Sequence, residues 1–219
     1  MTAAHDKIIK EAAKEVLAPL GMFQVGQSRC WIDDNGWFVI QVEFQPSKWS
    51  KGAYLNVGIS FLWEGVGIDV LSFDVGHREK EHTEYDGNDD KFRKEMLGLA
   101  EHAKDKVLHY RRFGDPALCK ENLKTLAAAD SFWGNWKAAM FCFLMGCGDG
   151  REFLRRMERF DVKSFARLDE ISAKSRELIT KDDAYLMRYV KDSVRTKRDF
   201  LKKKSGFKKL REWQAGPVA

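Results

Sequence analysis

Polar and tryptophan side chains recur at alternate positions between residues 37 and 56, and this spacing could build a binding surface. Alternate side chains of a strand point to the same face, and same-parity positions on neighbouring antiparallel strands share that face. We therefore expect one set to converge: Trp37, Gln41, Glu43, Gln45, Ser47, Trp49 and Asn56. Glu43 would then be a hydrogen-bond acceptor or a general base between aromatic walls. The alternative is an ordinary solvated sheet face with Trp49 packed under a loop.

The strongly basic C-terminal stretch is a second candidate site. Residues 188–211 hold eleven lysines and arginines against two acidic residues, a net charge of +9, so the rest of the chain carries −4 of the total +5. Phenylalanines interleave with these cations, which suits contact with phosphates and stacking on bases. The predicted nucleic-acid contacts are Lys202, Lys203, Lys204, Lys208, Lys209 and Arg211. The alternative is a solvated helix end, where the helix dipole favours cations.

Other patterns that could carry chemistry are incomplete. His77 and His82 enclose two glutamates, but histidines five residues apart do not share a helix face, and no third or fourth ligand follows. The glycines of residues 146–150 could hold an anion, yet they follow a helix, so a helix-to-helix turn is the better interpretation. No serine elbow or phosphate-binding glycine-lysine loop is present. We predict no metal and no cofactor, and a binding protein rather than an enzyme.

A four-stranded antiparallel meander is predicted to position the first set of residues. Period-two alternation marks strands at about 23–32, 37–45, 54–63 and 66–75. The second strand shows the clearest alternation of apolar and polar residues, and its apolar face consists of Phe38, Ile40, Val42 and Phe44. Asn35 and Gly36 form a strong hairpin signal between the first two strands, because both residue types tolerate positive φ angles.

Helical periodicity surrounds this sheet and continues to the C-terminus. An amphipathic helix covers residues 3–18, and a long helix from about 88 to 112 is predicted to lie across the sheet. After a break at residues 114–116, helices follow at about 116–128, 131–146, 150–160, 163–179 and 180–204. The sequence therefore predicts an α+β domain over residues 1–113 and an all-α domain with a basic tail over residues 114–219.

Composition and cysteine spacing indicate a soluble protein of a reducing compartment. With 219 residues, 44% of them hydrophobic, the chain can bury a substantial core. Its longest uncharged apolar run, 138–146, is well short of the roughly 20 residues of a membrane span, so we predict no membrane association. The N-terminus lacks the apolar core of a secretory signal. The spacing of Cys30, Cys119, Cys142 and Cys147 fits neither a dense disulfide framework nor a zinc site, so we expect reduced thiols and a cytoplasmic location.

Several short motifs in the N-terminal half resemble one bacterial family. They are residues 17–23 (LAPLGMF), Trp31, residues 41–50 (QVEFQPSKWS) and residues 55–59 (LNVGI). Together they are similar to the bacterial domain-of-unknown-function 4304 family over about residues 8–65. In the fourth predicted strand, the family's cysteine, arginine and paired tryptophans are replaced by residues 73–79 (FDVGHRE). The resemblance implies strands followed by helices, and it brings no established activity.

These observations favour a non-catalytic module that binds a protein partner through the tryptophan-bearing sheet face or the helical half. By analogy with small bacterial proteins that act beside a toxin, a defence component or a regulator, we expect an immunity-like or accessory role. Two alternatives stay open: nucleic-acid binding through the basic tail, and an enzyme that uses Glu43 in a polar pocket. The sequence does not fix the oligomeric state.

Overall fold

A computed structural model describes residues 4–63, 71–128, 130–161 and 166–213. The chain divides into two compact units. Unit 1 contains residues up to 112 together with 196–213, and unit 2 contains residues 113–195. The segment 196–213, which the sequence assigns to the helical domain, therefore belongs by its contacts to the unit that holds the sheet. No helix within the described ranges is long and apolar enough to cross a membrane.

Unit 1 is built on an antiparallel sheet of five strands in the order β1-β2-β3-β4-β5. The strands are β1 (Phe23–Gln24), β2 (Cys30–Asp34), β3 (Phe38–Gln45), β4 (Gly52–Phe61) and β5 (Val75–Glu84). The predicted first strand is split in two, because a turn at Gly26, with φ of 56°, folds β1 back onto β2. The Ser28 hydroxyl closes this turn by donating to the Val25 carbonyl oxygen at 2.7 Å. The α+β class is as predicted, and the four-strand count is wrong.

The last strand also lies further along the chain than predicted. Of the predicted strand 66–75, residues 66–70 lie outside the described ranges, and 71–74 are not in a strand. The strand is β5, where charged residues and histidines hide the period-two pattern. Within the described ranges, β5 pairs with β4 alone and stands at the edge of the sheet. Charged side chains are common on such edges because they oppose pairing with another sheet.

Two α-helices of the described ranges lie entirely in this unit, α1 (Ala4–Leu17) and α2 (Asp89–Arg111). α2 packs on the sheet at β3, β4 and β5, and α1 packs on α2. The predicted apolar face is completely buried, with Phe38, Ile40, Val42 and Phe44 each at 0% exposure. Arg111 ties the end of α2 to β2, since its guanidinium donates to both oxygens of Asp33 at 2.8 Å and to the Leu20 carbonyl at 2.7 Å.

Unit 2 is helical in its described residues. Its helices are α3 (Cys119–Ala127), α4 (Phe132–Met145), α5 (Gly150–Met157), α6 (Ala166–Ile179) and α7 (Asp183–Lys202), whose last seven residues belong to unit 1. α4 is buried along most of its length. The turn from α4 to α5 needs glycine at three positions. Gly146 and Gly148 have φ angles of 65° and 74°, and a Cβ on Gly150 would lie 2.3 Å from the Phe143 ring.

A disulfide joins Cys119 at the start of α3 to Cys147 in the turn between α4 and α5, with 6.7 Å between the two Cα atoms. The prediction of four reduced thiols is therefore wrong, and only Cys30 and Cys142 are free thiols. The two bonded cysteines are 28 residues apart. The fold of α3 against α4 brings them together, and no local spacing rule reports such a contact.

Candidate functional site

Burial divides the predicted sheet-face residues into three groups. Trp37, Gln41 and Asn56 are buried, whereas Glu43, Gln45 and Ser47 are half-buried. Trp49 is 93% exposed and is not packed under a loop. The predicted set therefore does not form one open pocket.

Trp37 belongs to the core rather than to a binding surface. Its ring stacks on Trp63 at 5.3 Å between centroids and on Phe61 at 5.8 Å. Trp37 precedes the first residue of β3, so strand alternation does not decide its direction. The prediction of Trp37 as a binding residue is not supported by its position, since only 8% of it is exposed.

Gln41 is also occupied by the protein itself. Its Nε2 donates to the Ser60 hydroxyl oxygen at 2.5 Å and to the Ser72 carbonyl oxygen at 3.0 Å. These bonds join β3 to β4 and to the segment that leads into β5. Because a buried amide must have such partners, Gln41 has a structural role.

The remaining polar side chains form a network across three strands. Asn56 lies opposite Glu43 on one side and opposite Arg78 on the other. Its Nδ2 donates to Glu43 Oε2 and to Gln45 Oε1, both at 2.9 Å. Arg78 Nη2 donates to the same Gln45 oxygen at 3.0 Å, and its guanidinium lies 4.0 Å from the centre of the Tyr54 ring. Arg78 is absent from the predicted set because residue 78 was not assigned to a strand, whereas Tyr54 lies in the predicted strand 54–63 and was not included in the set.

Trp49 stands at the tip of the hairpin that carries this network. The loop of residues 46–51 joins β3 to β4, and the Trp49 backbone N–H donates to the Ser47 hydroxyl oxygen at 3.1 Å. His82 links the loop to the network, since it contacts Ser50 at 3.4 Å and the Tyr54 ring at 4.9 Å between centroids. We call the whole area the hairpin surface: Glu43, Gln45, Ser47, Trp49, Ser50, Tyr54, Asn56, Arg78 and His82.

The nucleophilic side chains near this surface, Ser50 and Cys30, are not activated for catalysis. Ser50 Oγ lies 3.4 Å from His82 Nδ1, but His82 Nε2 is buried beside Gly52 without a hydrogen-bond partner, so no carboxylate orients the ring. Burial, and secondly the charge of Glu43, raise the pKa of the Cys30 thiol to about 12. The thiolate, which is the reactive form, is therefore scarce at neutral pH.

The histidines that the sequence suggested as metal ligands lie on β5. His77 is exposed opposite Val57, while His82 packs on Tyr54. Across the part of the chain that the structure describes, no group of three or more histidine, cysteine, aspartate or glutamate side chains could hold a metal ion.

The basic tail is packed within unit 1 rather than solvated. Arg198 is 3% exposed, and Leu201 and Leu210 are 1% and 4% exposed. Lys202 pairs with Glu212, and the Lys204 ammonium lies 4.7 Å from the centre of the Phe200 ring. Of the six predicted contacts, four side chains remain exposed: Lys203, Lys208, Lys209 and Arg211.

A buried ion pair fixes this tail to the hairpin between β2 and β3. Arg198 donates to Asp34 Oδ1 at 2.7 Å and to Asp34 Oδ2 at 2.8 Å, and the Arg211 backbone N–H donates to Oδ2 at 2.9 Å. Both charged side chains are at most 5% exposed. Trp213 also lies against Gly36 in the same turn. The tail is thus part of the folded unit.

Unit 2 has a small cavity of about 180 Å³ beside its glycine-rich turn. Cys142, Phe143 and Arg151 are among its lining residues. The α5 N-terminus is already satisfied, because Asp149 accepts from the N–H groups of Arg151 and Glu152. Burial, and then the charge of Asp149, raise the pKa of the Cys142 thiol to about 12. This geometry matches a capped helix-to-helix turn and provides neither an anion cradle nor a reactive thiol.

No protein-family model matches this chain, and no curated protein or solved structure matches it. The resemblance to the domain-of-unknown-function 4304 family therefore stays a prediction from the motifs.

Proposed function

We propose that this protein is a non-catalytic binding module that docks a protein partner on the hairpin surface. The observation that supports this proposal most directly is the position of Trp49, whose side chain is 93% exposed at the hairpin tip. Tryptophan is the residue type most enriched among the side chains that dominate protein–protein affinity. A fully exposed indole gains more from burial by a partner than any other side chain of this surface.

The scaffold beneath Trp49 is rigid, which suits an anchor. β3 and β4 pair over eight consecutive positions, from Phe38 opposite Phe61 to Gln45 opposite Tyr54. Phe44 and Leu55, near the tip, are fully buried. A side chain on an ordered hairpin loses less conformational entropy on binding than one on a loose segment, so more of its burial appears as affinity.

Trp49 is surrounded by polar and charged side chains, as an aromatic interface anchor commonly is. The nearby Lys48 and Lys51 are exposed, and the Glu43–Asn56–Arg78 network lies on the two strands that the loop of residues 46–51 joins and on β5. Interfaces commonly place an aromatic anchor inside a polar rim. The enzyme alternative has less support, since Glu43 is bonded to Asn56 and stands near no activated nucleophile.

Trp49→Ala is expected to weaken binding of the partner by at least about 30-fold, since a central tryptophan contributes about 2 kcal/mol or more. A photo-crosslinking amino acid at the exposed position 48, which leaves the Trp49 indole in place, should first trap the partner in cells of the source organism. Titration calorimetry with the purified partner then gives the affinities of the wild type and the variant.

Leu108→Ala supplies the matched control. Leu108, on α2 of the same unit, is 46% exposed and is the other exposed large apolar side chain of the described residues. Its loss should change affinity less than threefold. Equal losses for the two variants, or equal crosslinking from positions 48 and 108, would contradict docking at the hairpin surface.

The biological setting is proposed by analogy. An immunity-like or accessory role in a bacterial conflict or regulatory system fits a small binding module. The cytoplasmic location is likewise a proposal. The Cys119–Cys147 disulfide is an argument against it, because the cytosol keeps most thiols reduced. Trapping thiols in intact cells would decide which state the protein has there.

Nucleic-acid binding by the tail is the second candidate. The observation that favours it is that a packed segment presents Lys203, Lys208 and Lys209 to solvent from a fixed backbone. Truncation after Lys197 is not a fair test, because it would remove the buried Arg198, Leu201 and Leu210 as well.

A triple Lys→Gln variant at positions 203, 208 and 209 tests this candidate without disturbing the core. If each lysine neutralises one duplex phosphate, the slope of log affinity against log salt should fall by about 2.7. Filter binding of duplex DNA across a salt series measures the slope. The control removes three other exposed lysines of unit 1, at positions 7, 14 and 94. An identical change of slope in both variants would show that the salt dependence reflects net charge alone and not a contact of the tail with the DNA.

A further inference from the structure

Two opposite charges on the hairpin surface are held apart by amides. Glu43 on β3 and Arg78 on β5 both lie opposite Asn56 on β4. Their connection runs from Glu43 through Asn56 and Gln45 to Arg78, by three hydrogen bonds of 2.9 to 3.0 Å. Because these bonds are joined end to end, Glu43 Oε2 and Arg78 Nη2 lie less than about 9 Å apart without forming an ion pair.

Neither charge has an ionic partner among the described residues. Glu43 accepts one hydrogen bond from Asn56, and Arg78 donates one to Gln45. The neighbouring Glu79 behaves differently, because it pairs with Lys106 on α2 at 2.9 Å. The chain thus neutralises one carboxylate of this region and leaves the network's two charges available.

The Arg78 guanidinium is also held in a fixed orientation. It lies 4.0 Å from the centre of the Tyr54 ring and donates to Gln45, and this bond uses one of its five N–H groups. A planar guanidinium fixed in this way can bind a carboxylate through two parallel hydrogen bonds. Glu43 accepts from Asn56 with Oε2, so its Oε1 can accept a hydrogen bond from a basic side chain of the partner.

We propose that the hairpin surface recognises a partner segment with a basic side chain opposite Glu43 and an acidic side chain opposite Arg78. This inference rests on the proposed function, and it adds the chemistry and direction of the partner segment. A segment in the reverse direction would meet like charges at both positions, which is an effective way to reject wrong partners.

The test starts from the full-length protein and a displayed library of random 12-residue peptides. Selection against the wild type should enrich peptides that carry a basic and an acidic residue in one order. The best peptide, labelled with a fluorophore, is then titrated with each variant by anisotropy. Glu43→Gln and Arg78→Gln should each weaken binding of this peptide at least tenfold. The Glu43→Gln variant still has a side-chain oxygen that can accept from Asn56, so it removes the charge and keeps the hydrogen bond.

Substitutions in the peptide assign each charge to its partner. Replacing the acidic residue of the peptide by glutamine should weaken its binding to the wild type. It should not weaken binding to the Arg78→Gln variant, because that variant already lacks the ion pair between this residue and Arg78. Arg78→Lys should recover only part of the affinity, since lysine lacks the planar fork. Lys80→Gln is the control: Lys80 is an exposed cation on β5 that lies opposite Leu55 instead of Asn56, and its loss should have no effect.

The outcomes separate this inference from the proposed function. If Trp49→Ala abolishes peptide binding while Glu43→Gln and Arg78→Gln leave it unchanged, docking stands and the charge pattern is overturned. If selected peptides bind equally well to Trp49→Ala, the proposed function itself fails. Should Arg78→Gln not fold, as judged by circular dichroism, Arg78→Lys and the peptide substitutions still decide the matter.

Discussion

Asp34→Ala is expected to lower the free energy of unfolding of unit 1 by about 3–5 kcal/mol, because removing one partner of a buried ion pair leaves the other charge uncompensated. Arg198 is 3% exposed, and its guanidinium has no other carboxylate in the described hydrogen-bond network. The variant also removes the acceptor of the Arg211 and Gly36 backbone N–H groups. Urea denaturation, followed by hydrogen exchange of peptides from β2 and β3, measures the change.

A second substitution shows whether the stranded charge causes this loss. Arg198→Met in the Asp34→Ala background should recover part of the stability, as apolar replacement of a whole buried pair is often neutral. Glu101→Ala, which breaks an exposed pair with Lys104, should not move the unfolding midpoint. A loss from Asp34→Ala no larger than this control would show that the buried pair does not hold the tail in place.

The same pair gives a pH dependence with a defined sign. Burial acts to raise the pKa of the Asp34 carboxyl, but Arg198 and the Arg211 and Gly36 N–H groups outweigh it and hold the pKa below its ordinary value. The stabilisation is therefore complete above the unfolded pKa of about 3.9 and is lost as the pH falls through the lower folded value. The stability difference between wild type and Asp34→Ala should shrink only in that acid range.

Reduction of the Cys119–Cys147 disulfide should destabilise unit 2 by about 3.5 kcal/mol, the chain-entropy value for a loop of this size. The bond joins positions 28 residues apart and closes α3 and α4 into one loop. Without it, the unfolded chain gains conformations while the folded helices keep their packing. Hydrogen exchange of peptides from α3, α4 and α5, with and without a phosphine reductant, gives the loss of protection.

The Cys119→Ser/Cys147→Ser variant is the internal control. It should match the reduced wild type, and the reductant should not change it further, because Cys30 and Cys142 are already free thiols. Unchanged protection of the wild type after complete reduction would show that helix packing alone sets the stability of unit 2.

The sheet shows where local patterns suffice and where they fail. The apolar alternation of Phe38, Ile40, Val42 and Phe44 predicts a buried strand face, and all four are fully buried. β5 was misplaced because it is an edge strand, where charged residues are favoured and period two is lost. That error removed Arg78 from the predicted site, since its side chain meets Gln45 and Tyr54 only through the pairing of β5 with β4.

The basic tail shows a different limit. Net charge is a property of composition, so the sequence identifies the cations correctly. Their exposure depends on contacts between residues far apart, such as Arg198 with Asp34, which are 164 positions apart. Such a pair leaves no periodic signal, and the tail was accordingly predicted to be open.

The sequence by itself determined the α+β class, the antiparallel meander and the turn at Asn35 and Gly36, where Gly36 takes the positive φ of 82°. These features follow from neighbours within a few residues, whose sterics and apolar spacing act locally. Only the tertiary structure decided that Trp37 is core, that Trp49 is exposed, and that Glu43 and Arg78 share a network. Burial and pairing depend on which distant segments meet, and that is set by the packing of the whole unit.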